Sequence, residues 1–267
     1  DALTEALGDK VQFVEQNAAN DIPTCATIVN GFVSDGVDLI LANATPALQA
    51  AVAATDSIPI LGTAVTEYGV ALDIKDFNGT VGGNVSGTSD LAPLDQQAAM
   101  ILELFPDAKK VGILYCSAEP NSVYQSDVVK AELEKSGVTV SVYTFADSND
   151  VAAVTATACD ENDVLYIPTD NTAASCTEAI NNVAEPAGVP IIAGEEGICA
   201  GCGVATLSIN YYDLGGTTGK MAAKILTGEA NISEMPIEYF PDPVKKYNPA
   251  ICEALGITVP EDYVAIG

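Results

Sequence analysis

An apolar run, a polar loop and a helix recur in that order along the chain, and this alternation leaves few architectures open. Strand-like runs fall at residues 11–15, 39–42, 58–62, 110–116, 139–145, 164–168, 189–193 and 203–209. Several are continuously apolar, the pattern of parallel strands covered on both faces. Helical segments fill the intervals at 24–34, 46–55, 93–105, 121–136, 150–158, 172–187 and 211–227. "SDGVD", "KSGVTV" and "PAGVP" place Gly where a helix stops and a strand follows. The result is an α/β architecture with right-handed crossovers.

There are strands enough for two sheets. "FPDAKKVGILY" reads as a fresh start, with a helix ending at Pro106, two lysines, and then a new apolar strand. The expectation is two doubly wound, Rossmann-like lobes: residues 1–106 plus about 207–230, and residues 107–206 plus about 231–267. The stretch 235–267 is richer in Pro and reads as a tail packing back across a lobe. Residues 1–7 look like the end of a helix, whereas a doubly wound sheet opens on a central strand. The N-terminal strand is therefore expected to be missing from the chain.

Composition narrows the chemistry. No apolar run approaches the ~18 residues of a membrane span, and no signal peptide opens the chain, so any targeting segment is expected to have been removed. Asp and Glu number 37 against 10 basic residues, all Lys, for a net charge of −27. Such a surface repels phosphate backbones, which excludes nucleic acid as a partner. There is no His, so Ser-His-Asp and Cys-His catalysis are excluded within this chain. There is no Arg either, so an anion must be held by Lys, hydroxyls or backbone N–H groups. Of seven cysteines, Cys25, Cys116, Cys159 and Cys176 read as small core residues. "CAGC" at 199–202 lacks the further ligands of a zinc site. It reads as part of a glycine-rich turn between strands rather than a helix start, which argues against thioredoxin-like chemistry. A local disulfide or two idle thiols remain. No metal or cofactor is expected.

Ligands of open α/β sheets bind outside the carboxyl ends of the strands. The loops at those ends are uniformly polar: "NATP" (43–46), "TAVT" (63–66), "SAEPNS" (117–122), "TDNT" (169–172) and "GEEG" (194–197). Thr45-Pro46, Asn121-Ser122 and Asn171-Thr172 are helix-start signatures whose backbone N–H groups suit a carboxylate. Asp170, Glu195 and Glu196 suit a cation. Together they fit a zwitterion, a free amino acid. The plainer reading is that Thr45, Asn121 and Thr172 only cap their helices. Of Tyr211 and Tyr212, about 100° apart on a helix, at most one can form an aromatic wall. "GGTTGK" (215–220) is no phosphate loop, because Leu214 replaces the leading Gly and Met221 the magnesium-binding hydroxyl.

The strings "ATPALQAAV", "IPILGTAVTE", "GGNVSGTSDLAP", "EPNSVYQ", "YIPTDNTAAS", "PIIAGEEG", "ATLSINYYDLGGTTGKMAAKIL" and "EALGITVPE" span nearly the whole chain. In this order they resemble the solute-binding proteins of ABC transporters in the tryptophan and tyrosine uptake group. The resemblance implies a periplasmic-binding-protein type I fold, with two lobes that close on a ligand by hinge motion. It also implies that Thr45, Thr63, Thr66, Ser89, Asp90, Asn121, Ser122, Asp170, Asn171, Thr172 and Glu195 line or border the cleft; of the tyrosine pair, Tyr211 is the one expected at the ligand. The sequence departs from the group in having Glu67 where Asp is expected, in "CAGC", and in lacking the opening strand. The implied function is capture of an amino-acid-like solute, an aromatic one first, for an ABC permease. Asp170 is expected to meet the ligand ammonium, and groups near Thr45, Asn121-Ser122 and Thr172 its carboxylate. The protein would be a monomer without enzymatic activity, extracytoplasmic, either lipid-anchored at the cell surface or periplasmic. A ligand-sensing effector domain of a regulator is the alternative, and a hydrolase using the acidic cluster is a further rival.

Overall fold

The computed structural model describes residues 1–19, 21–240 and 242–267. The strands are β1 Ile40–Asn43, β2 Ile60–Val65, β3 Val85–Ser89, β4 Lys110–Cys116, β5 Thr139–Phe145, β6 Val164–Ile167, β7 Ile191–Ala193, β8 Ala205–Ser208, β9 Glu238–Tyr239, β10 Val244–Tyr247 and β11 Val264–Ala265. The helices are α1 Ala2–Leu7, α2 Ile22–Asp35, α3 Thr45–Ala54, α4 Tyr68–Ala71, α5 Leu94–Leu104, α6 Pro120–Lys135, α7 Val151–Glu161, α8 Asn171–Ser175, α9 Thr177–Ala187, α10 Glu196–Cys202, α11 Tyr211–Leu226 and α12 Pro249–Leu255. None of them is long and apolar enough to cross a membrane.

Contacts divide the chain into two units. Unit 1 is Asp1–Leu91 with Asn210–Pro241, and unit 2 is Ala92–Ile209 with Asp242–Gly267. The first crossing precedes α5, whereas the sequence suggested residue 106, after it. Packing explains the difference. Gln97 of α5 donates to the carbonyls of Gly194 and Leu207 and accepts from the Tyr166 hydroxyl, so the helix is bonded to the sheet of unit 2.

Unit 1 carries a parallel four-stranded sheet in the order β1-β2-β3-β9. One face packs on α2 and α3 through Val29, Leu48 and Ile60. α1 and α11 cover Leu61 with Leu3 and Met221. Tyr68 is buried in this core, its hydroxyl donating to Thr88 O at 3.0 Å. A Cβ on Gly62 or Gly87 would collide with that hydroxyl, so both positions are closed to side chains.

Unit 2 carries seven strands in the order β11-β10-β8-β7-β6-β4-β5. All neighbours are parallel except β10 against β8. The central strands β6, β7 and β8 are buried along their whole length, while the edge strand β5 alternates. This is the burial expected of a covered parallel sheet and its rim. Gly36 and Gly188 end α2 and α9 in the left-handed conformation, as their sequence context predicts.

Several elements differ from the sequence expectation. Residues 11–15 form no strand, and Phe13 and Val14 are exposed. β3 is a strand the apolar pattern passes over, because its buried side chains include Ser86, Thr88 and Ser89. The helix expected at 172–187 breaks at Cys176 into α8 and α9. "CAGC" closes the helix α10 rather than lying in a turn.

Candidate functional site

In unit 1 the polar loops follow β1, β2 and β3. Two non-glycine residues here have left-handed backbones, Ala44 (φ 73) after β1 and Ala64 (φ 51) near the end of β2. Strain of this kind persists where surrounding structure holds it, and it concentrates at functional loops. Ala44 N donates to Thr63 O at 2.9 Å, tying the two loops together. Thr45 is buried as the first residue of α3, and Ala44 before it has no side chain with which to cap that helix. The Thr63 hydroxyl lies 3.0 Å from that of Thr218 and 3.3 Å from that of Thr88, which are 2.8 Å apart. Thr63 thus belongs to a cluster that links β2, β3 and α11.

The end of β3 positions Asp90. Ser89 Oγ donates to Thr66 O at 2.7 Å and accepts from Leu91 N at 3.1 Å, which fixes the turn around it. Asp90 is buried, with Oδ2 accepting from the Tyr211 hydroxyl at 3.1 Å. Its Oδ1 has no hydrogen-bond partner among the described residues. Burial pushes the Asp90 carboxyl above the usual range, and the Thr66 and Tyr211 hydroxyls pull it part of the way back. Tyr212 turns elsewhere and donates to Asp1 at 3.0 Å. Glu67, the departure from the group's Asp, caps α4 through Val70 N.

In unit 2 the loops after β4, β6 and β7 carry the candidates. Asp170 caps α8 and is saturated, its carboxylate accepting from Ala173 N at 2.7 Å, Ser122 Oγ at 2.7 Å and Cys116 N at 2.9 Å. Burial first, and then the neighbouring Glu119 charge, raise its pKa to about 7. These three donors tie the Asp170 carboxylate to β4, α6 and α8.

Glu119 is the residue sequence reasoning missed. It sits at the start of α6 but does not cap it; its side chain crosses to α8. Oε2 accepts from Asn171 N and Nδ2, both at 2.8 Å, and Oε1 from Thr172 N and Oγ1, both at 2.7 Å. The protein's own carboxylate therefore takes the donors that sequence had reserved for a ligand carboxylate. An acid directly before "PNS" was the available signal, but a local cap explained it equally well. Gln125, also missed, binds both Thr169 N and Thr169 O from α6. Asn121 is buried, with Nδ2 2.9 Å from Thr169 O. Glu195 caps its own helix, α10, through Gly197 N and Ile198 N. Glu196 pairs with Lys246.

The cysteines take no visible part. All seven are unpaired thiols, six of them buried. Burial raises Cys199, and lifts Cys202 to about 12, the reverse of an activated CxxC pair.

A model of the ABC transporter substrate binding protein family matches residues 2–266. The chain is 38% identical over 230 residues to a tyrosine-binding protein of Clostridioides difficile (strain R20291). That match covers 86% of this chain and 66% of the relative, so the chain spans just under two thirds of the relative's length. Among solved structures, an ABC domain from Streptococcus pneumonia in complex with L-Trp is 32% identical with a TM-score of 0.92, covering 99% of this chain and 94% of that one. A ligand-free, open substrate-binding protein with adhesive properties from Clostridium difficile is 37% identical with a TM-score of 0.73, covering 99% and 92%. These likenesses favour transport over the regulator alternative, and the fold is that of type I periplasmic binding proteins. From end to end, the chain belongs to the ABC transporter substrate-binding protein family.

Proposed function

We propose that the protein captures an aromatic amino acid outside the cytoplasm and passes it to the permease of an ABC importer. Two relatives support the ligand class, one named for binding tyrosine and one solved with L-Trp. Within the molecule, the observation that carries the reading is Asp90 Oδ1, a buried carboxylate oxygen with no partner among the described residues. The ion pairs of the described residues use Lys130, Lys135, Lys245 and Lys246, and none involves Asp90. A buried carboxylate in this state gains most from a cation brought by the ligand, and an amino acid supplies one.

With no Arg in the chain, the ligand carboxylate falls to neutral donors, and the start of α3 at Thr45 is the natural choice. The Tyr211 ring, anchored by its hydroxyl on Asp90, is the wall for the aromatic side chain. Thr63, Thr66 and Ser89 hold the loops of unit 1 in place. Among the residues of unit 2, Asn121 is offered as a ligand contact; Ser122, Asp170, Asn171 and Thr172 belong to the hydrogen-bond network around it, and Glu195 caps α10. The protein works as a monomer without a reaction of its own, held at the cell surface by a lipid anchor or free in the periplasm.

Calorimetry and thermal shift with each of the twenty amino acids test the reading, because ligand binding raises stability by mass action. Aromatic amino acids should bind and raise the melting temperature. Binding to aliphatic amino acids alone, or to none, would overturn it.

A further inference from the structure

Unit 2 contains an atom in the same condition as Asp90 Oδ1. Asn121 Oδ1 is buried and has no hydrogen-bond partner among the described residues. The other end of the amide explains its orientation. Asn121 Nδ2 lies 2.9 Å from Thr169 O, 3.3 Å from Glu119 Oε2 and 3.4 Å from Ser122 Oγ. A backbone carbonyl and a carboxylate can only accept, so the amide must turn its NH2 toward them. Flipped, Oδ1 would lie against two acceptors. Glu119 is itself pinned by the four donors of Asn171 and Thr172. The polarity of Asn121 is therefore fixed before any ligand arrives.

We infer that Glu119 is a positioning residue for ligand recognition: together with Thr169 O it holds the amino group of Asn121 and so commits Asn121 Oδ1 to accept a hydrogen bond from the ligand ammonium. The same carboxylate occupies the donors of Asn171 and Thr172 and so denies them to the ligand carboxylate. Asn121 thus offers an acceptor, the reverse of the role its sequence suggested. This role rests on the proposed capture of an amino acid. A buried acceptor without a donor is costly, and a charged donor repays most, so ligands lacking the amine should bind poorly.

Calorimetry on the whole chain provides the test, with L-tryptophan paired against indolepropionate and L-tyrosine against hydroxyphenylpropionate, each analogue lacking only the amine. In Glu119→Gln, the new amide introduces donors among donors and leaves Thr169 O alone to orient Asn121. The preference for the amino acid over its deaminated analogue should then fall by about tenfold or more. Asn121→Ala removes the acceptor directly and should give the same loss of preference; if Glu119→Gln does not fold, a wild-type preference kept by Asn121→Ala overturns the inference, since Glu119 is proposed to act only through Asn121. Folded variants that keep the wild-type preference, or weaken both members of a pair equally, would overturn the role of Glu119 alone. A wild-type protein that binds neither amino acid would overturn the proposed ligand and this role with it.

Discussion

Asp90 and Asp170 occupy comparable places in their units. Each follows a buried parallel strand, β3 or β6, and each is itself buried. Burial raises the pKa of both. Their wiring differs. Asp170 receives three protein donors and binds β4, α6 and α8 together. Asp90 is reached by the Thr66 and Tyr211 hydroxyls, and its Oδ1 has no hydrogen-bond partner among the described residues. A buried acid at the end of a strand is therefore not a binding residue by position. Whether the protein has already satisfied it decides between framework and ligand contact.

Substitutions should separate the two roles. Asp170→Ala orphans three buried donors and should cost about 3–5 kcal/mol of folding stability in urea titration. A loss of amino-acid affinity at unchanged stability would return Asp170 to the binding role. Asp90→Asn should do the opposite, weakening amino-acid binding by about 2–3 kcal/mol in calorimetry. It should leave the melting temperature of the ligand-free protein unchanged or higher, because an unpaired buried charge is removed.

The pH dependence sharpens the contrast further. The Asp170 pKa is raised to about 7 in the folded protein, so the folded state holds the proton more tightly than the unfolded chain. Its contribution is fully present below the unfolded pKa of about 4 and is lost as the pH rises through about 7, each tenfold difference in proton affinity being worth about 1.4 kcal/mol. Urea stability should therefore decline over that window, and Asp170→Asn should flatten the decline; an unchanged slope would place the coupling elsewhere. The smallest effect is expected from Tyr211→Phe, which removes one donor from Asp90 and should weaken binding by about 1 kcal/mol. A drop in affinity about tenfold larger than that would mean that the hydroxyl contacts the ligand directly.

The sequence made the sheets legible wherever strands were apolar, as in "VGILYC" and "VLYI", since a covered parallel strand needs little else. β3 escaped because its hydroxyls are satisfied from a distance: Ser86 donates to Met235 O, and Thr88 bonds across to Thr218. A local pattern carries no trace of a partner 149 residues away. Residues 11–15 misled for the converse reason, since alternating apolar residues suggest a strand only if a neighbouring edge is there to pair with them. The polar loops were found from their placement at strand ends, and most of the candidates do lie there. What the loops could not disclose was which donors already had acceptors. That depends on Glu119 crossing from α6 to α8, 52 residues along the chain.

The left-handed backbones at Ala44 and Ala64 set a limit on engineering this receptor. Val, Ile or Thr at either position would add a branched Cβ to a conformation that such residues almost never adopt. Gly would relax the backbone, but it would also enlarge the unfolded ensemble that folding must suppress. Sensor designers who wish to retune ligand binding should therefore leave these two alanines alone and vary the side chains around them.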